Sequence, residues 1–200
     1  MLIKRAVFNH DISSYIDYSA NSLDSKQDEY FALLFPQRVY PGEREAKTMS
    51  WIIDRSTDGL GGVYPREIIN FGNYAVKEEL KNGESLNDDA THEKSLISGR
   101  SIRNAFETVS RVKVESYLSE FSELSKHFER FAGQQTADYS QAELIQLMHG
   151  LQPEGEEMIK QLHETGVIEY SSGQTLTQDT NISVHRLCRY GVGIVTFGRP

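Results

Sequence analysis

Ser140-Gln-Ala-Glu-Leu-Ile-Gln-Leu-Met148, Pro153-Glu-Gly-Glu-Glu-Met-Ile-Lys-Gln-Leu-His-Glu-Thr-Gly166 and Val167-Ile-Glu-Tyr170 together decide the fold. Ser140 with Glu143 three residues on has the form of a capping box, in which hydroxyl and carboxylate each satisfy a free N–H at a helix start. The helix it opens carries Leu144, Ile145, Leu147 and Met148. Pro153 opens a second helix with Met158, Ile159 and Leu162, because a proline at the first helical position loses no hydrogen bond. Thr165-Gly166 closes that helix, and Val167–Tyr170 reads as a strand. After the polar loop begun by Ser171-Ser-Gly173, Ile182-Ser-Val184 alternates as the returning strand. Helix, helix, strand, loop, strand is the order of a winged helix-turn-helix closed by a small β-hairpin.

Working outward, the preceding residues are helical. Ser98 to about Ser119 predicts a long helix with Ile102, Ala105, Phe106, Val109, Val112, Val114 and Tyr117 on one side. Phe121, Leu124, Phe128 and Phe131 continue at helical spacing until Gly133 breaks the pattern. Residues 83–95 are polar and read as a surface connection. Before them, Pro65 starts a helix with Ile68, Ile69, Gly72, Ala75, Val76 and Leu80 as its apolar stripe, ended by Lys81-Asn82-Gly83. Glu43–Asp54 predicts a helix with Met49, Trp51, Ile52 and Ile53 buried, and Ser25–Phe35 another that Pro36 stops. Leu2, Ile3, Ala6 and Val7 are also spaced for a helical face. The expected class is therefore mainly α: a helical, lid-like domain over 1–120 and a winged-helix domain over 121–200.

Composition narrows the functional classes. The chain has 200 residues, 21 Lys and Arg against 29 Asp and Glu, and a net charge of −8. No apolar run approaches the ~20 residues that span a bilayer, and the apolar start is cut short at Asn9-His-Asp11 before it could form a signal peptide. One cysteine, Cys188, excludes a disulfide framework within the chain and a cysteine-rich zinc site; a core or half-buried thiol is expected. His10, His92, His127, His149, His163 and His185 are scattered without ligand spacing, so no metal site is expected. A cytoplasmic protein without a membrane partner is the expectation.

Two stretches invite an anion-binding reading. In Ser56-Thr-Asp-Gly-Leu-Gly-Gly-Val-Tyr64 the glycines could cradle phosphate, but a P-loop needs Lys and Ser or Thr directly after its last glycine, and Val63-Tyr64 stands there. A turn is the favoured reading. Arg66 follows Pro65 in the first turn of a helix, where a guanidinium and the partial positive charge of the helix start can meet an anion together. On the residues alone an ion pair with Glu67 or another nearby carboxylate is the favoured reading, because most exposed arginines are solvated or loosely paired. The second helix of the winged-helix stretch has one Lys against three Glu, and residues 135–200 carry four basic and eight acidic side chains. Such a helix repels a phosphate backbone, so protein–protein or intramolecular docking is favoured over DNA.

Phe35-Pro-Gln-Arg-Val39, Trp51-Ile-Ile-Asp-Arg-Ser-Thr-Asp-Gly59 and Gly62-Val-Tyr-Pro-Arg-Glu-Ile-Ile-Asn70 together resemble the end of bacterial P-loop ATPases of the AAA-like type. So does Gly166-Val-Ile-Glu-Tyr170 through Ile182-Ser-Val-His-Arg-Leu-Cys-Arg-Tyr-Gly-Val-Gly-Ile194, although Leu187-Cys-Arg-Tyr-Gly191 departs from the family's Leu-Tyr-Arg-x-Gly-like element. The resemblance implies a helical lid followed by a winged helix, with Arg66 as the sensor-2 arginine facing the terminal phosphate of ATP. It implies ATP and magnesium as cofactors of a parent ATPase, not of this chain, because no G-x-x-x-x-G-K-[ST] and no hydrophobic run ending in paired acids occurs in the 200 residues. The chain starts in a helical pattern and stops after a strand-like run; the expectation is a non-catalytic fragment, truncated gene product or piece of a split protein, whose partner is the nucleotide-binding core. The alternative is a winged-helix DNA-binding regulator with a helical dimerisation region, or an adaptor whose acidic winged helix meets a basic partner.

Overall fold

The computed structural model describes residues 27–82, 95–170 and 176–195. The expected helix at Leu2–Val7, residues 83–94 of the polar connection, the Ser171–Gly173 turn and the C-terminal Thr196–Pro200 lie outside the described residues. The protein is mainly helical with one small antiparallel sheet of three strands. The chain divides into two compact units, 1–54 with 65–105, and 55–64 with 106–200.

The first unit contains α1 (Gln27–Leu34), most of α2 (Thr48–Ser56), α3 (Pro65–Asn82) and the start of α4 (Gly99–Glu120). Its core centres on Trp51, Ile52, Phe71 and Ile102, all at most 3% exposed. Trp51 meets Phe71 edge-on at 6.0 Å and Tyr40 at 6.5 Å. The expected helix over 43–54 begins only at Thr48. Gly42 (φ +131°) turns the chain, an antiparallel bridge joins Arg38 to Lys47, and Thr48 Oγ1 donates to the Pro36 carbonyl at 2.5 Å. The buried stripe of α2 is Thr48, Trp51, Ile52 and Ser56. Met49 and Ile53 fall one position off that stripe and are exposed, against expectation. Val76 and Leu80 of α3 are likewise exposed, because Ile69, Phe71, Gly72 and Ala75 hold its inner side.

The start of α4 is closed by a residue from α3. Ser98 N–H and Ser98 Oγ both donate to Glu79 Oε2 at 2.7 Å, and Ser101 N–H donates to Ser98 Oγ at 3.2 Å. The cap and its carboxylate thus satisfy N–H groups that have no partner within the helix. Arg103 on the next turn donates to the Val39 carbonyl at 2.8 Å and covers the Tyr40 ring at 4.9 Å.

The second unit holds the rest of α4, a 3-10 turn (Ser122–Leu124), α5 (Ser125–Arg130), β1 (Asp138–Ser140), α6 (Gln141–Leu147), α7 (Gly155–Glu164), β2 (Ile168–Glu169), β3 (Asn181–Val184) and α8 (Arg186–Arg189). The strand order is β1-β3-β2, with Asp138 opposite Ser183 and Ile168 opposite Val184. The core includes Leu144, Met158, Ile159, Leu162, Ile168, Ile182, Val184 and Leu187, all fully buried. The capping box at Ser140 forms as expected: Glu143 N–H donates to Ser140 Oγ at 3.2 Å and Ser140 N–H to Glu143 Oε2 at 2.7 Å. The second helix starts at Gly155 rather than Pro153, whose carbonyl instead accepts from Nε2 of the buried His127 at 3.1 Å. Val112 of α4 is exposed, whereas Ile102, Ala105, Phe106, Val109, Val114 and Tyr117 are buried as their spacing predicts.

Both edges of the sheet are occupied by the second unit's own groups. Val184 N–H donates to the Ala137 carbonyl at 2.7 Å, so the alternation of an antiparallel ladder turns the N–H and C=O of Asp138 outward. Thr136 Oγ1 takes both, accepting from Asp138 N–H at 3.1 Å and donating to the Asp138 carbonyl at 3.0 Å. On the β2 side, the turn between Thr57 and Val63 lies against the strand. Gly59 N–H donates to the Gly166 carbonyl at 3.0 Å, and a Cβ at Gly59 would stand 2.7 Å from that oxygen and 2.8 Å from the Ile168 oxygen. Only glycine permits this approach. Edges covered in this way do not offer a template for strand addition.

Candidate functional site

The glycine-rich turn and the start of α3 are the two anion-binding candidates, and each has its own geometry. In the turn, Thr57 and Val63 form an antiparallel bridge, and Asp58 N–H donates to the Gly62 carbonyl at 3.0 Å. The Asp58 side chain folds inward, so that its Oδ1 accepts from Leu60 N–H at 3.1 Å and Gly62 N–H at 2.7 Å. The amides a phosphate would need are filled by an internal carboxylate, and the charge of that carboxylate repels an anion. The turn reading therefore holds. Asp58 is the residue that sequence reasoning passed over. An Asp followed by glycine in a Ser/Thr-rich stretch is the signal for it, since such a carboxylate bonds backbone amides a few residues on.

Arg66 lies in the first turn of the 18-residue α3, immediately after Pro65, and is exposed. It makes no hydrogen bond or ion pair with any of the described residues, Glu67 included. The side chain is thus a solvated guanidinium at the positive end of a helix dipole.

The outward positions of α7 are Glu156, Glu157, Lys160 and Glu164, while Met158, Ile159 and Leu162 face the core. The solvent side of the sheet is polar and mixed in charge. Ser183 Oγ donates to Asp138 Oδ1, Glu169 lies opposite Ser183 on the other flank, and His185 Nε2 is 3.7 Å from Glu169 Oε2. Arg189 Nε donates to the Val184 carbonyl at 2.8 Å; burial lowers the pKa of its guanidinium, while Asp138 and Glu169 oppose that shift. An open depression of about 540 Å³ runs beside β1 and α6, lined by Gln134, Thr136, Asp138, Tyr139, Glu143 and Leu147 among others. Within it, hydrogen bonds from the Ser140 backbone and then its hydroxyl hold Glu143 below the usual carboxylate range, and burial raises the Tyr139 phenol.

Cys188 is fully buried, and burial pushes its thiol up to about 12. A thiol kept neutral in this way is a packing group and not a nucleophile. The described histidines are dispersed: His127 is buried against Pro153, His149 is exposed, His163 lies tilted against Tyr170 with ring centroids 4.4 Å apart, and His185 Nδ1 caps α8 by accepting from Leu187 N–H at 3.3 Å. Among the described residues no group of three or more His, Cys, Asp or Glu could hold a metal ion, and no helix is long and apolar enough to cross a membrane. Comparison of the chain with protein-family models, with curated proteins and with solved structures gives no significant match.

Proposed function

We propose that the chain is a non-catalytic, cytoplasmic module of a bacterial AAA-like P-loop ATPase, a helical lid over 1–120 followed by a winged helix over 121–200. Arg66 senses the terminal phosphate of ATP held by a nucleotide-binding core supplied from outside these residues. The observation that carries the lid reading is Arg66 itself: an exposed guanidinium in the first turn of a long helix, engaged by no described carboxylate, within the Gly62–Asn70 stretch that resembles the family. An arginine of this kind gains a contact when a phosphate is present and loses it on hydrolysis, so nucleotide state shifts the position of α3. The winged-helix reading is supported by the element order β1-α6-α7-β2-β3 with strand order β1-β3-β2.

The winged helix serves protein or intramolecular docking on this reading. The outward face of α7 offers three glutamates and one lysine, the opposite of what phosphate contacts need. A gel shift with duplex DNA at low salt separates the two functions: no retarded band is expected, and a band that disappears steeply with added salt would favour the DNA-binding regulator. Determination of the coding sequence upstream of Met1 tests the parentage. An in-frame G-x-x-x-x-G-K-[ST] motif is expected; an unbroken frame holding a different domain type would overturn the ATPase reading.

A further inference from the structure

We draw no further inference here: the strongest candidate, the open groove between β1 and α6 lined by Asp138, Tyr139, Glu143 and Leu147, contains no unpartnered buried side chain among the described residues, its outward amides and both carboxylates are already engaged by Thr136, Ser140, Glu143 and Ser183, and nothing in the structure shows what covers it.

Discussion

The starts of α3 and α4 are the same kind of place with opposite fillings. Each opens a long helix, and each has N–H groups that lack a partner within the helix. At α4 the need is met internally by Ser98 and the Glu79 carboxylate, at 2.7 Å from both the amide and the hydroxyl. At α3 the first turn carries a cation, Arg66, which no described residue engages, next to a carboxylate, Glu67, that does not pair with it. The Thr57–Val63 turn is a third case and sides with α4, since the Asp58 carboxylate occupies the amides of Leu60 and Gly62. A glycine cluster or a helix start is thus only a potential anion site. A nearby carboxylate of the chain's own decides whether an outside anion has anywhere to go.

Breaking the filled start of α4 has the largest expected effect. Glu79→Ala leaves the Ser98 amide and hydroxyl without their charged acceptor and costs about 2 kcal/mol, in the range for hydrogen bonds to charged groups; a urea titration reads this as a lower midpoint at unchanged slope. An unchanged midpoint would show that water replaces the carboxylate freely. Asp58→Ala comes next. It unseats two amides of a turn and costs about 1.5 kcal/mol, the low end of the same range, because amides released in a turn reach water; Asp58→Asn, which keeps an acceptor oxygen, costs less. Hydrogen exchange at Leu60 and Gly62 checks the mechanism: both amides exchange faster in Asp58→Ala, and equal rates would mean that the carboxylate does not hold them.

A pH experiment probes another filled start, the capping box of α6. The folded state holds Glu143 below the ordinary glutamate range, so it favours the ionised form. This contribution is present in full above the unfolded value and is lost as pH falls through the folded one. Stability measured from neutral pH downward therefore drops less steeply in Glu143→Gln than in the unaltered protein; parallel curves would remove the box as a source of acid sensitivity. The smallest stability effect belongs to Arg66 at the start of α3. Arg66→Ala changes unfolding free energy by less than about 0.5 kcal/mol, as for an exposed residue without partners. A larger loss would mean that Arg66 has a structural partner and is not held free for a ligand.

Sequence disclosed what local chemistry encodes. The capping box at Ser140 needs only a hydroxyl and a carboxylate three residues apart, and it forms with those two residues. The long α4 follows from the spacing of Ile102, Ala105, Phe106 and Val109. What stayed hidden depends on residues far apart in the chain. The strand β1 is three residues long and is defined by its pairing with Ile182 and its neighbours, not by any alternation of its own. The Glu79 cap joins positions 19 residues apart, and no local pattern marks it. Residues 55–64 belong with 106–200 because Gly59 approaches the Gly166 and Ile168 carbonyls, a steric fact that a glycine-rich run does not announce. The exposed Met49, Ile53, Val76 and Leu80 show the limit of periodicity: an apolar run fixes that a helix forms more firmly than which of its edges is covered. The missing Lys and Ser or Thr already mark residues 56–64 as a turn in the sequence, and the Pro65 helix start places Arg66; that Asp58 fills the turn and that no described carboxylate engages Arg66 depend on where side chains fold.

On the proposed function, this chain senses a nucleotide that it does not itself turn over. Magnesium-dependent phosphate release from ATP, measured on the purified full chain and on Arg66→Ala, tests it most directly. No release above buffer is expected for either protein, because the sequence holds no G-x-x-x-x-G-K-[ST] segment to grip the β-phosphate and magnesium. Hydrolysis by the unaltered chain that disappears in Arg66→Ala would contradict the proposed function.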